Sequence, residues 1–166
     1  MSMRVLVVMG SDSDFPVMEA CFKTLRDFGV GFEATVCSAH RTPERAAELA
    51  KGAAGQGFGV IIAAAGLAAH LPGVLAAFTS LPVIGVPIKG GALHGQDALY
   101  AIVQMPTGIP VATVAIDGAA NAAILATQIL SLADPSLIAK LDAHKVNMAE
   151  AVAARDLKLQ EKLANL

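Results

Sequence analysis

The chain has 166 residues, 55% of them hydrophobic and 16% charged, with a formal net charge of -2. That composition excludes a disordered chain, fits one domain (residues 1–166) with a large core, and lacks the basic face that nucleic-acid binding demands. The first apolar run (Val5 to Met9) is too short for a signal-peptide core, no run reaches the ~18 residues of a membrane span, and the two cysteines, Cys21 and Cys37, make no disulfide framework. A cytoplasmic protein with no nucleic acid and no membrane among its partners is the expectation.

Arg4 to Met9 reads as a buried strand, followed by the turn Gly10-Ser11-Asp12-Ser13-Asp14. Pro16 opens a helix with Val17, Cys21, Leu25 and Phe28 on its apolar side, and Gly29 suits its C′ position. A second strand, about Gly31 to Cys37, leads into Ser38-Ala39-His40-Arg41-Thr42-Pro43-Glu44. There Thr42 is placed to cap a helix running to Ala54, with Pro43 in its first turn. The third strand, Val60 to Ala64, runs into the loop Ala65 to Gly73. After a short helix, a fourth strand near Pro82 to Val86 precedes the loop Lys89 to Gly95. A helix containing Leu99, Ile102 and Val103 leads to Gln104-Met105-Pro106-Thr107-Gly108. Pro110 to Ile116 is the fifth strand, Ala119 to Leu132 a small-residue helix, and Asp134-Pro135 caps a long final one.

Strands that alternate with helices, each strand an unbroken apolar run, belong to a parallel sheet covered on both faces. The expected fold is a three-layer α/β/α sandwich around five parallel strands, flavodoxin-like or Rossmann-like, with a long C-terminal helix. Its ligands should bind at the carboxyl edge of the sheet. The loops after strands 1 to 4 are rich in glycine and small polar residues, and converge there on a crevice fit for a small phosphorylated metabolite.

The turn Gly10 to Asp14 offers hydroxyls and amides at a helix start, which suits a phosphate; equally, Ser13 or Asp14 could simply cap that helix. Arg41 is placed to close on the same anion, and His40 beside it is the residue type best suited to acid/base work on an anionic substrate. His70 reads equally as a buried structural residue or a catalytic one, whereas His144 reads as solvated. Lys89 and His94 read as flanking a plain surface loop. The four histidines are too widely spaced for a metal site.

Four motifs occur in order: Met9 to Asp14, Ser38 to Pro43, Ala65 to Gly73, and Ile102 to Pro106. From about Arg4 to Leu132 the chain resembles the N5-carboxyaminoimidazole ribonucleotide mutase family, the class I, bacterial-type enzymes of purine biosynthesis. The resemblance implies a homo-octamer that needs no metal and no organic cofactor. It implies that Ser11 and Asp14 hold the ribonucleotide, that Arg41 holds its phosphate, and that His40 is the general acid and base. Ser13 and Ser38 complete the polar part of the substrate site, while Gly66, Ala68 and Leu71 line the base and carboxylate pocket. Met105-Pro106 would come from a neighbouring subunit.

Two positions depart from the family. Leu67 stands where a second glycine is usual and is expected to project away from the ligand; His94 replaces a smaller polar residue. The related carboxylases that use free CO2 typically carry lysine where Arg41 stands and lack a run like His70-Leu71-Pro72. A non-catalytic nucleotide-binding module is the other alternative. Between Gly57 and Ala133 only Lys89, Asp97 and Asp117 are charged, and Leu137, Ile138, Leu141, Met148, Val152, Leu159 and Leu163 form a stripe on the last helix. Both features anticipate an oligomer, with residues 134–166 packing on neighbouring subunits.

Overall fold

The sheet is built of inner strands that are apolar runs, sheltered between two helical layers, and edge strands that are partly exposed. In the computed structural model, which describes residues 3–166, these are β1 (Arg4–Met9), β2 (Phe32–Val36), β3 (Phe58–Gly66), β4 (Val83–Ile88) and β5 (Ala112–Thr113). All pair in parallel, in the spatial order β2-β1-β3-β4-β5. The helices are α1 (Phe15–Asp27), α2 (Pro43–Ala53), α3 (Leu71–Ala77), α4 (Gln96–Val103), α5 (Ala119–Ser131) and α6 (Ser136–Ala164).

Alternation along each strand divides the core into two halves. Val5, Val7 and Met9 of β1, with Val60, Ile62, Ile84 and Val86, face α1 and α5. Leu6, Val8, Ile61 and Ala63 face α2, α3 and α4. In-register pairing sets Val7 beside Ile62 and Ile62 beside Ile84, a fully buried row across three strands. Each such side chain stabilises the fold by about 1.5–3 kcal/mol.

The expected elements all form, with shifted limits. β3 is longer at both ends than Val60 to Ala64, since partners on both sides satisfy its backbone. β4 is displaced from Pro82–Val86 to Val83–Ile88. β5 shrinks from Pro110–Ile116 to two residues. The carbonyls of Gly85 and Pro87 accept from Val114 N and Asp117 N, so this side of β4 faces β5. There Pro87 has no N–H to donate, and the ladder stops.

The last helix is fixed at its base. Asp134 caps it by accepting from Ser136 N and Oγ. Lys140 Nζ donates to the Phe28 carbonyl at the end of α1, 2.6 Å away, a favourable place for a cation. His144, expected in solvent, instead sets its ring edge-on to Phe28 with centroids 5.4 Å apart, and its Nε2 is buried. Every residue from 145 to 166 is exposed.

Gly85 illustrates how closely the layers approach: a Cβ there would lie 2.3 Å from Ile102 Cγ2 and 3.0 Å from Val111 Cγ1. Gly85→Ala should therefore cost about 1–3 kcal/mol through overpacking. In denaturant titrations, Gly85→Ala/Ile102→Ala should cost less than the sum of its two single changes.

Candidate active site

Adjacent strands β1 and β3 send their chains to opposite faces of the sheet, and the gap at their carboxyl ends is where an open α/β sheet takes its ligand. A cleft of about 490 Å³ lies there, walled by the loops after β1, β2, β3 and β4. It gathers Ser11, Ser13 and Asp14 from the first loop, Ser38, His40 and Arg41 from the second, and Gly66, Ala68 and Leu71 from the third. All nine residues singled out in the sequence thus share one cavity. Met105 and Pro106 do not line it; the Met105 sulfur lies against Gly73 of the same chain.

The first loop is a capping box. Ser11 Oγ accepts from Ser13 N, and Asp14 Oδ2 accepts from Ser11 N, so a 3₁₀ turn closes before α1 starts. Ser11 caps this turn; Asp14 takes the N-cap position of α1, as one of the two expected candidates, but its side chain makes no capping hydrogen bond to that helix. Ser13 Oγ lies 2.9 Å from Ser11 Oγ, giving two adjacent hydroxyls at the cleft wall. Asp14 is buried, and that burial pushes its carboxyl above the usual carboxylate range. The Ser11 amide opposes the shift, and the nearby Asp12 charge adds to it.

The second loop is stapled shut. Thr42 Oγ1 accepts from Ser38 N at 3.1 Å and donates to Ser38 O at 2.9 Å, while Ser38 Oγ accepts from Arg41 N. Thr42 sits at the N-cap position of α2 as expected, but its hydroxyl serves this staple and caps nothing. His40 and Arg41 are held between the two ends of the staple. Both are exposed, and Arg41 forms no salt bridge among the described residues, so its donors are open to an anion.

The third loop supplies what the sequence left undecided. His70 is exposed, not buried, and its Nδ1 lies 2.8 Å from His40 Nε2 with the rings edge-on at 84°. One nitrogen must donate and the other accept. The signal was the repeated grammar of strand, short loop, histidine and helix-opening proline (Pro43 and Pro72). Only the sheet order brings the two loops together.

The fourth loop, read as plain surface, places Lys89, Gly90 and Gly91 on the cleft wall; His94 is outside that wall. Leu67 does not turn away. It lines the cleft, with its Cδ2 over Gly91. No group of three His, Cys, Asp or Glu side chains suited to a metal ion occurs among the described residues.

A family profile described as AIR carboxylase matches residues 4–151. The chain belongs to the AIR carboxylase family. It is 56% identical over 155 residues to an N5-carboxyaminoimidazole ribonucleotide mutase of Pyrococcus horikoshii, covering 93% of this chain and 88% of that protein. A phosphoribosylaminoimidazole carboxylase of Saccharomyces cerevisiae is 53% identical over 154 residues, which are 93% of this chain but 27% of the yeast protein. Treponema denticola PurE superposes with a TM-score of 0.83 at 29% identity, covering 93% of this chain and 97% of that one.

The raised Asp14 value has a defined consequence for this family member. Folded Asp14 holds its proton more readily than the unfolded residue, whose ordinary value is 3.8. Its contribution to stability is therefore complete below that value and is lost as pH rises through the higher folded one. Relative to wild type, Asp14→Asn should gain denaturant resistance as pH is raised from below 3.8 to neutrality. A constant difference across that range would contradict this.

Proposed function

We propose that the cleft isomerises N5-carboxyaminoimidazole ribonucleotide to 4-carboxy-5-aminoimidazole ribonucleotide, a step of purine biosynthesis, in the cytoplasm. The observation that carries the reading is the imidazole pair at one end of a cleft whose other walls bear hydroxyls and an open arginine. Arg41 takes the phosphate with paired, charge-assisted donors, helped by Ser11, Ser13 and Ser38. Asp14, acceptor-only when ionised, takes the ribose hydroxyls. Gly66, Ala68 and Leu71 leave a small apolar space for the base and carboxyl group.

The chemistry needs one proton, given and then recovered. His40 protonates the exocyclic nitrogen; the carboxyl C–N bond breaks, and its electron pair stays on nitrogen as CO2 leaves. Ring carbon C4 then attacks that CO2, a C–C bond forms, and the C4 proton returns to His40. At 2.8 Å the two imidazoles share one hydrogen bond, one ring nitrogen donating and the other accepting. His70 thus holds the His40 ring in one orientation for that proton transfer.

The decisive assay supplies N5-carboxyaminoimidazole ribonucleotide without ATP or added bicarbonate and follows the C4-carboxylated product. Wild type should form it, and His40→Asn should lose about 10²-fold or more in kcat while still binding the ribonucleotide. A mutant retaining more than about a tenth of the rate would remove His40 from this role. The yeast relative's name raises a second reading, carboxylation with free CO2, which instead requires bicarbonate. Arg41 and His70-Leu71-Pro72 weigh against it.

Self-association into a homo-octamer is part of the same proposal. α6 rests on its own chain through Leu137 and Leu141, whereas Val146, Met148, Val152, Leu159 and Leu163 lie 50–63% exposed along it. Unpartnered apolar surface of this extent is unusual on a monomer. Sedimentation at low micromolar concentration should show no active species near the 16.9 kDa of one chain; a stable, active monomer would overturn the assembly.

A further inference from the structure

Three non-glycine residues among those described have a left-handed backbone, Leu67 (φ 53°), His94 (φ 51°) and Asp117 (φ 58°). They fall on the loops after β3, β4 and β5, at the same edge of the sheet. Leucine is poorly suited to that conformation, because its Cβ crowds the following carbonyl. Leu67 gains nothing from the core in return: it belongs to neither apolar cluster and is 56% exposed. A strained residue with no packing role calls for an account in terms of the site it borders.

Its side chain reaches the adjacent loop after β4 at the cleft wall. Leu67 Cδ2 would lie 2.6 Å from a Cβ placed on Gly91, so the leucine rests on the bare backbone of the neighbouring wall. That wall is tied down at its ends. Lys89 N donates to Asp117 Oδ1 at 2.8 Å, and Gly95 packs closely beside Ile116. In between, nothing approaches the side-chain direction of Gly90 within 4 Å. Between those ends, Gly91 meets Leu67. Three residues beyond Leu67 is His70, whose ring meets His40, so the contact stands beside the reacting end.

We infer that Leu67 is a positioning residue that stoppers the carboxyl end of the cleft and retains CO2 between its release from nitrogen and its capture by C4. The inference rests on the carboxyl-transfer reading above. CO2 is neutral and small, so no ion pair can hold it; an apolar closure that slows its escape and excludes water can. Glycine at position 91 is required for that closure, since any side chain there would push Leu67 aside.

The test uses ribonucleotide labelled with ¹³C in its carboxyl group. It compares label retained in the C4 product with label released as CO2, above the enzyme-free rate. Wild type should retain most of the label. Leu67→Gly, which accepts the backbone freely and should fold, and Leu67→Ala, which keeps the backbone strain, should each release several-fold more. Gly91→Ala should also leak, and Leu67→Gly/Gly91→Ala should leak no more than the worse single variant. Unchanged partitioning in the Leu67 variants, leakage from Leu67→Gly but not Leu67→Ala, or additive leakage in the double variant would overturn the stopper. If wild type makes no product without bicarbonate, the carboxyl-transfer reading itself fails, a different result from retention in every variant.

Discussion

Two strands that lie side by side and part in opposite directions make everything else at this site possible. β1 feeds α1 on one face of the sheet and β3 feeds α3 on the other, so no helix can fill the space above their junction. The gap needs no specialised residues to exist; parallel pairing and right-handed crossovers produce it. What the sequence adds is a floor thin enough to leave the gap deep. Gly10 and Gly66 carry no side chain at the two strand ends, and the Gly10 amide donates to the Ala64 carbonyl in the continuing ladder.

Loops at such an edge have few apolar contacts to hold them, and here polar groups take that part. The Ser38–Thr42 staple and the Ser11–Asp14 capping box each close a short ring of hydrogen bonds, fixing the backbone before any ligand arrives. The side chains carried between those fixed points are then free of structural duty. The side chains of His40 and Arg41 stand between anchored residues and take no part in the anchoring, to which Arg41 contributes only its backbone amide. Asp14 is the exception, serving the box and the cleft together, and its burial is the cost of that double use.

Patterns with a short range were legible in the sequence. Strand composition, helix-opening prolines and the C′ glycine at position 29 each depend on near neighbours, and the fold followed from them. β5 was overestimated because the proline that ends its ladder, Pro87, belongs to another strand. Thr42 has the right type and place for a cap, but Ser38 offers it a better partner in three dimensions. The same limit governs the site. His70 and Lys89 are distant in sequence from His40, and nothing in their own neighbours says which way they face. Leu67 was misjudged for a related reason: its direction is set by a backbone angle that residue type alone would have advised against.

The Lys140 and His144 contacts at the base of α6 matter for how copies of the chain could meet. About 29 residues at 1.5 Å each make a rod of roughly 43 Å, and its root is clamped to the end of α1. A partner would then encounter a helix already formed and already aimed. Little ordering entropy would be left to lose on association, and the direction of approach would be written into a single chain. Loosening the clamp would blur that aim while leaving the cleft intact, so the geometry of assembly and the chemistry of the site could change independently.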